Sequence, residues 1–206
     1  MITVKVTNTD QVTSALRAIP ADMRDKALGP ALNKVAQKAS AEVTRAITDE
    51  YAVKANEVRN AVQVRKATSR RLEARIDIFG SAKRRGRSLN LIHFLAAYQA
   101  AGRAFKTRGS KGSQKDLKAL AGQLGFLIRK AGGLKKIDGA FVGNKGRTVF
   151  RRTGKERLPI EPLQVIGFSQ MFSSRRISQR VMAKIDADLP IEVDRAIARL
   201  LGGKGS

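Results

Sequence analysis

The chain has no cysteine, no tryptophan and a single histidine, His93, in 206 residues. The absence of cysteine excludes disulfides, thiolate zinc sites and a cysteine nucleophile. One histidine, set in the apolar run LIHFL, leaves the usual catalytic triads and zinc sites without a donor set, so His93 reads as structural. Aromatic residues are only 5% of the chain, so the core must rest on Val, Ile, Leu and Ala. No apolar run approaches the ~20 residues that cross a bilayer, and no membrane partner is expected. The opening MITVKVTNTD has no basic segment leading into an apolar one, so no signal peptide is expected. These absences suit a protein made in a reducing cytoplasm or carried in a virion.

Acidic residues are also scarce: 17 Asp and Glu stand against 41 Lys and Arg, a net charge of +24. The imbalance is local. Residues 1–61 carry nine basic and seven acidic side chains, and residues 158–206 carry seven and five. Residues 62–157 carry 25 and five, a net +20. A field this concentrated is matched by nucleic acid, an acidic protein surface or an anionic membrane. A merely solvated face is the plainer alternative, set against the self-repulsion that such a density creates.

What remains is enough for a core, with 42% apolar residues. Ile2, Val4 and Val6 alternate with polar residues and predict a strand. Leu28, Leu32, Val35, Ala39, Val43 and Ala46 recur at steps of three and four and predict a long amphipathic helix. Gly29-Pro30 predicts a kink or two abutting helices near its start. A short piece at Asn56–Asn60 follows, and then the period becomes two. Val62 and Val64, then Leu72, Ala74, Ile76 and Ile78, predict a hairpin around Thr68-Ser69-Arg70. Its outward face would carry Arg65, Lys66, Arg71 and Arg75. Residues 83–87, KRRGR, form a basic loop with nothing to bury.

Residues 91–105 fit a helix through Leu91, Phe94, Leu95, Tyr98, Ala101 and Phe105, although LIHFL alone fits a strand. TRGSKGS reads as a flexible linker. Leu117, Leu120, Ala121, Leu124, Leu127 and Ile128 then predict a helix, opened by Ser113 and Asp116 and closed by Gly132-Gly133. Residues 96–133 are thus expected to form an inserted helical arm within a single 1–206 domain. Ala140-Phe141-Val142 and Thr148-Val149-Phe150 flank Gly143-Asn144-Lys145-Gly146, a hairpin composition, with Phe141 as a candidate core ring. Leu158-Pro159-Ile160, running into Leu163, Val165 and Ile166, suits an edge strand because proline cannot donate to a ladder. The C-terminal part is expected to be helical, anchored by Val181, Ile185, Val193 and Ile197, with Pro190 starting a final segment before a loose GGKGS tail. The fold class expected is α+β: an antiparallel sheet of hairpins against a long N-terminal helix and a C-terminal helix.

Catalytic chemistry finds little support. The carboxylates of the basic middle, Glu73, Asp77, Asp116, Asp138 and Glu156, are isolated and form no DxD or ExxE pair. GNKGRT has phosphate-loop glycines but not the GxxxxGK[ST] spacing, and it lies between two expected strands rather than before a helix, so a hairpin turn is favoured. No cofactor or metal is expected. The clusters that remain are basic: Arg70, Arg71, Arg75, Lys83, Arg84, Arg85, Arg87, Arg129, Lys130, Lys135, Lys136, Arg151 and Arg152. They are the candidate contacts to an acidic partner or to a nucleic-acid backbone. Nothing resembles a helix-turn-helix, a basic zipper or an RNA-recognition signature, so base-specific reading is not expected.

The order of these pieces resembles the phage minor tail protein Z family, and more broadly the tail-completion proteins of long-tailed phages. The likeness runs through ALNKVAQKASAEVTRAITDEYAVKANEVRNAVQVRKAT (31–68), ARIDIFG (74–80) and LNLIHF (89–94). It is most specific in GAFVGNKGRTVFRRTGKERLPIEPLQVIG, where Gly139, Ala140 and Phe141 precede a turn. Val149 and Phe150 then lead to Arg152, and Arg157, Leu158, Pro159 and Ile160 close the signature. Gly167-Phe168-Ser169 stands where the family has Gly-Pro-Ser, and 96–133 is longer than is typical. The resemblance implies a structural protein of the virion tail that completes the tail and joins it to the head. Its implied partners are other tail and neck proteins, further copies of itself in a ring, and the genome end. No active site is carried by the signature.

Overall fold

The computed structural model of the chain describes residues 2–6, 21–68, 71–81, 88–95 and 124–202. In chain order the elements begin with β1 (Ile2–Val6), the long helix α1 (Ala21–Glu50), a short α2 (Ala55–Ala61), β2 (Val62–Arg65) and β3 (Ala74–Ile78). Next is β4 (Ser88–Asn90), which runs into a 3-10 turn over Leu91–Phe94. The others are β5 (Gly125–Phe126), β6 (Lys135–Lys136), β7 (Ala140–Gly143), β8 (Thr148–Arg152), β9 (Ile160–Pro162) and β10 (Gln164–Ile166). Two further helices close the chain, α3 (Phe168–Phe172) and α4 (Arg175–Gly202). The class is α+β, and the strands are shared among four small antiparallel sheets.

The apolar stripe of α1 is buried as its period requires: Leu28, Leu32, Val35, Ala39, Val43 and Ala46 all lie in the core. Its main partner is α4, which turns Ile177, Val181, Ile185, Leu189 and Val193 inward. The two helices run antiparallel, since Lys38 of α1 pairs with Glu192 while the later Glu42 and Asp49 pair with the earlier Arg180. Of the two alternatives at Gly29-Pro30, two abutting helices are excluded, because α1 is continuous through Pro30; Pro190 lies inside α4 rather than at the start of a segment. An interior proline costs about 3 kcal/mol. Leu28, Ala31 and Leu32 flank Pro30, Leu189 and Val193 flank Pro190, and burying leucine-sized side chains on both sides outweighs that cost at ~1.5–3 kcal/mol each.

Strands β1, β3 and β2 form one sheet with β3 central, in the register Ile2↔Ile78 and Val62↔Ile78. Val4, Ala74, Ile76 and Ile78 face the helices and are buried, Val62 and Val64 are half-buried, and Asp77 on the alternate side is buried as well. The crossing from β2 toward β3 is held by Asn33 of α1. Its carboxamide accepts from the Ala67 N–H at 2.7 Å and donates to the Ala67 carbonyl at 3.2 Å.

β4 pairs with β10, and the segment open to two readings is a 3-10 turn at Leu91–Phe94, with Leu91, Ile92 and Phe94 buried. Asn90 caps it by accepting from the Ile92 N–H at 3.0 Å. The helix expected to end at Gly132-Gly133 is not helical where the structure describes it. Gly125 and Phe126 are strand, paired with Lys136 and Lys135. Leu124, Leu127 and Ile128 keep a helical spacing, but the chain docks in extended form because open backbone groups await it. Phe94 O accepts from Leu127 N, Ile128 O accepts from Ala52 N, and Glu50 O accepts from Lys130 N. The rest of the expected arm, residues 96–123 with the TRGSKGS linker and the Ser113 and Asp116 cap, lies outside the described residues. So do residues 203–206 of the tail, which starts at the helical Gly202. At the departure Gly167-Phe168-Ser169, Phe168 begins α3, is buried and donates its N–H to Gly80 O.

Candidate assembly surface

The signature stretch builds the sheet β7–β8–β9, with β8 in the middle. Its register sets Phe141 opposite Phe150, Phe150 opposite Pro162, and Arg152 opposite Ile160. Side chains alternate across a sheet, so this row shares one face, while Ala140, Val142 and Val149 share the other. The second face is the inner one: Ala140 and Val149 are buried, and Val142 packs against the core.

The outer face is apolar at its centre. The Phe141 and Phe150 rings stack with centroids 6.0 Å apart, and the Arg152 guanidinium lies 5.3 Å from the Phe141 centroid. Phe141 is therefore half-buried on this face, not a core ring as expected from the sequence. Ile160 is exposed, and Leu158 more so, at 66%. The turn that joins β7 to β8 places Asn144 (φ 50°), Lys145 (φ 55°) and Gly146 (φ 82°) in the left-handed region in succession. It is a hairpin turn, and the strand after it offers no helix N-terminus to a phosphate. At Gly143 an added Cβ would come within 3.0 Å of the Phe150 ring, so a larger residue there requires the ring to give way.

Most cations of this part of the chain have no carboxylate partner among the described residues. Residues 124–162 hold ten Lys and Arg against three Asp and Glu. Among the described residues only Arg129 of those ten has a carboxylate within ion-pair distance, Glu50 at 3.7 Å. Lys130, Lys135, Lys136, Arg151 and Arg152 are exposed without one. Arg129 also donates to the Tyr51 hydroxyl at 3.3 Å and lies over the Tyr51 ring. That hydrogen bond, with the Glu50 charge, raises its pKa.

The hairpin β2–β3 is different. Arg65 donates to Asp77 at 2.6 Å, Arg71 donates to Glu73 at 3.3 Å, and Arg75 also pairs with Glu73. The hydrogen bond to Glu73 is the main cause of the raised pKa of Arg75. Asp77 is buried and takes a second hydrogen bond from the Thr3 hydroxyl at 2.7 Å. The basic side of this hairpin is thus largely compensated within itself. Arg70, Lys83, Arg84, Arg85 and Arg87 lie outside the described residues.

The signature residues divide in the same manner. Gly139 (φ +70°), Ala140 and Val149 build the turn and the inner face, while Arg157, Leu158, Pro159 and Ile160 are exposed. Sequence reasoning missed Asn90, whose carboxamide donates to Val149 O at 3.3 Å and accepts from Val149 N at 2.8 Å. It fixes this sheet to the LNLIHF segment. The only available signal was a lone polar residue between apolar ones. His93 hydrogen-bonds Glu57 at 2.8 Å, tying the 3-10 turn to α2. Among the described residues no three His, Cys, Asp or Glu stand where they could hold a metal ion. No helix among them is long and apolar enough to cross a membrane.

A family model described as prophage minor tail protein Z (GPZ) matches residues 6–202, nearly the whole chain. No curated protein and no solved structure matches it.

Proposed function

The chain belongs to the prophage minor tail protein Z family, and we propose that it completes the phage tail and joins it to the head at the neck, as a structural and not a catalytic component. In this reading residues 1–206 act as one tail-completion-like domain, assembled in the host cytoplasm, and several copies form a ring that matches the symmetry of the tail. The other phage tail proteins are its neighbours. The observation that carries the reading is the separation of charge. Cations of the β2–β3 hairpin are spent on local carboxylates, while those around the β7–β8–β9 sheet are left facing outward. A ring that passes DNA, or docks on an acidic ring above or below, needs such a free positive surface and a neutralised frame to hold it. Contact with the genome end would be through phosphates, without base reading.

Immunogold labelling of purified virions tests this reading. Label at the head-proximal end of the tail is expected, and absence of the protein from mature particles contradicts it. A second reading, non-specific nucleic-acid binding by the free protein, draws on the same unpaired cations. Titration with duplex DNA separates the two: tight binding by the monomer at physiological salt, with a steep salt slope, favours the second.

A further inference from the structure

The cation-rich sheet has a counterpart elsewhere on the chain. The solvent side of α4 carries Asp186, Ala187, Ile191, Asp194 and Ala198, all exposed. Ile191 is 47% accessible, although it is a large apolar side chain. Ala187, Ile191, Asp194 and Ala198 recur at steps of four, three and four, with Asp186 at the flank, which places them on one side of the helix, away from Val181, Ile185, Leu189 and Val193. This side is acidic and apolar in a chain whose net charge is +24. The nearest cations are turned elsewhere: Arg180 to Glu42 and Asp49, Lys184 to Asp188, and Arg195 to Glu192. Among the described residues Asp186 and Asp194 have no ion-pair partner, just as Arg151 and Arg152 have none.

We infer that the outer face of the β7–β8–β9 sheet docks onto the exposed side of α4 of a second copy of the chain. The two surfaces match in kind. One is an aromatic and aliphatic centre rimmed by cations, the other an aliphatic strip with two free carboxylates. They also match in length. Asp186 and Asp194 are about 12 Å apart along the helix at ~1.5 Å per residue. The cations at the turn, Lys145 and Arg147, and those beyond Arg152 are about 17 Å apart at ~3.3 Å per residue. Arginine and lysine side chains span the difference. A like-with-like contact is disfavoured, because two basic sheets or two acidic strips would repel.

Docking uses the face of the sheet and not its edge. Leu163 N and Pro159 O point toward β8, so alternate residues Ile160 and Pro162 turn their backbones outward. Pro162 has no N–H to offer, which blocks a new strand there. A contact between two different surfaces of one chain is heterologous, and it closes into a ring when the rotation permits. The inference rests on the ring in the reading above and supplies its interface.

The chain lacks cysteine, so a cross-linking test has no background. Ile160→Cys and Ala187→Cys are introduced singly and together in the full chain, and oxidised both in the purified protein and in assembled tails. The double variant is expected to give a ladder of cross-linked multimers on a non-reducing gel in at least one of the two, with each single variant monomeric. Mixing Arg152→Glu protein with Asp194→Lys protein is expected to restore assembly, because the two reversed charges complement each other and the unaltered Arg152 and Asp194 meet at the alternate contact. Each variant alone would sediment as a monomer and the mixture as multimers in which the two alternate. No ladder in either sample overturns the inference, as does a dimer from Ala187→Cys alone. Those results leave the tail reading intact if the variants still enter virions, whereas a ladder from purified protein that never enters virions overturns only the tail reading.

Discussion

The carboxamide of Asn90 hydrogen-bonds both backbone groups of Val149, whose carbonyl also accepts from the Leu163 N–H where the β8–β9 ladder ends. The same oxygen caps the 3-10 turn at Ile92. One side chain therefore couples the buried LNLIHF segment to the sheet that presents the candidate assembly face. Asn33 does the same for Ala67, coupling α1 to the β2–β3 hairpin.

Asn90→Ala removes these bonds and leaves the Val149 and Ile92 N–H groups without their acceptor, while the Val149 carbonyl keeps the Leu163 N–H. A loss of about 2–4 kcal/mol is expected, from one to two unsatisfied groups at ~1–3 kcal/mol each. Urea unfolding with circular dichroism measures it. Asn90→Asp keeps the acceptor but loses the donor, and should fall between Ala and wild type.

Arg65→Ala strands the Asp77 carboxylate with Thr3 as its remaining hydrogen-bond donor among the described residues. Because Arg65 is itself 60% exposed, water screens the pair and the expected loss is about 1–2 kcal/mol, below the cost of breaking a fully buried pair. Asp77→Asn should cost a similar amount, and the double variant less than the sum of the two, in a thermodynamic cycle.

Glu192 gives a pH signature. The hydrogen bond from Lys38 is the main cause that holds its pKa below the ordinary glutamate value, with Arg195 adding to it against the opposing effect of burial. A carboxylate whose folded pKa is depressed binds protons more readily when the chain is unfolded. Its contribution is complete above the unfolded value of about 4.3 and is lost as pH falls through the lower folded value. Thermal melts between pH 7 and 3 should therefore show a steeper acid loss for wild type than for Glu192→Gln. The Gln variant should be the less stable of the two at pH 7.

Gly143→Ala pushes a Cβ to within 3.0 Å of the Phe150 ring. Overpacking of this kind costs about 1–3 kcal/mol. The ring must move off Phe141, so near-ultraviolet signals of the Phe pair should change while helix content stays the same.

Much of this was legible in the sequence because periodicity records burial. The stripe from Leu28 to Ala46, the alternation from Val62 to Ile78 and the turn at Gly143–Gly146 all appear as read. Pro190 misled, and Pro30 does not split its helix, because a local rule is overruled by apolar residues packed on both sides of each. Residues 124–128 misled because apolar residues three and four apart also suit an extended segment that is buried through docking. Phe141 is only a candidate core ring from the sequence, because an aromatic residue in an alternating strand does not say which face is covered. Charge was the least legible part. Composition counts cations but not their partners, and only the fold shows Arg65, Arg71 and Arg75 compensated while Arg151 and Arg152 are free. The two asparagine clamps left no pattern, since each acts alone on a distant backbone.

The proposed role is that this chain joins tail to head and that Arg151 and Arg152 of its basic sheet are needed for the contacts it makes in doing so. Tails assembled without the protein can be mixed with filled heads and purified protein, and the joined particles counted by electron microscopy. The account predicts that wild type restores joining and that the folded Arg151→Glu, Arg152→Glu double variant does not. Equal joining with no protein added, or full rescue by the double variant, would contradict it.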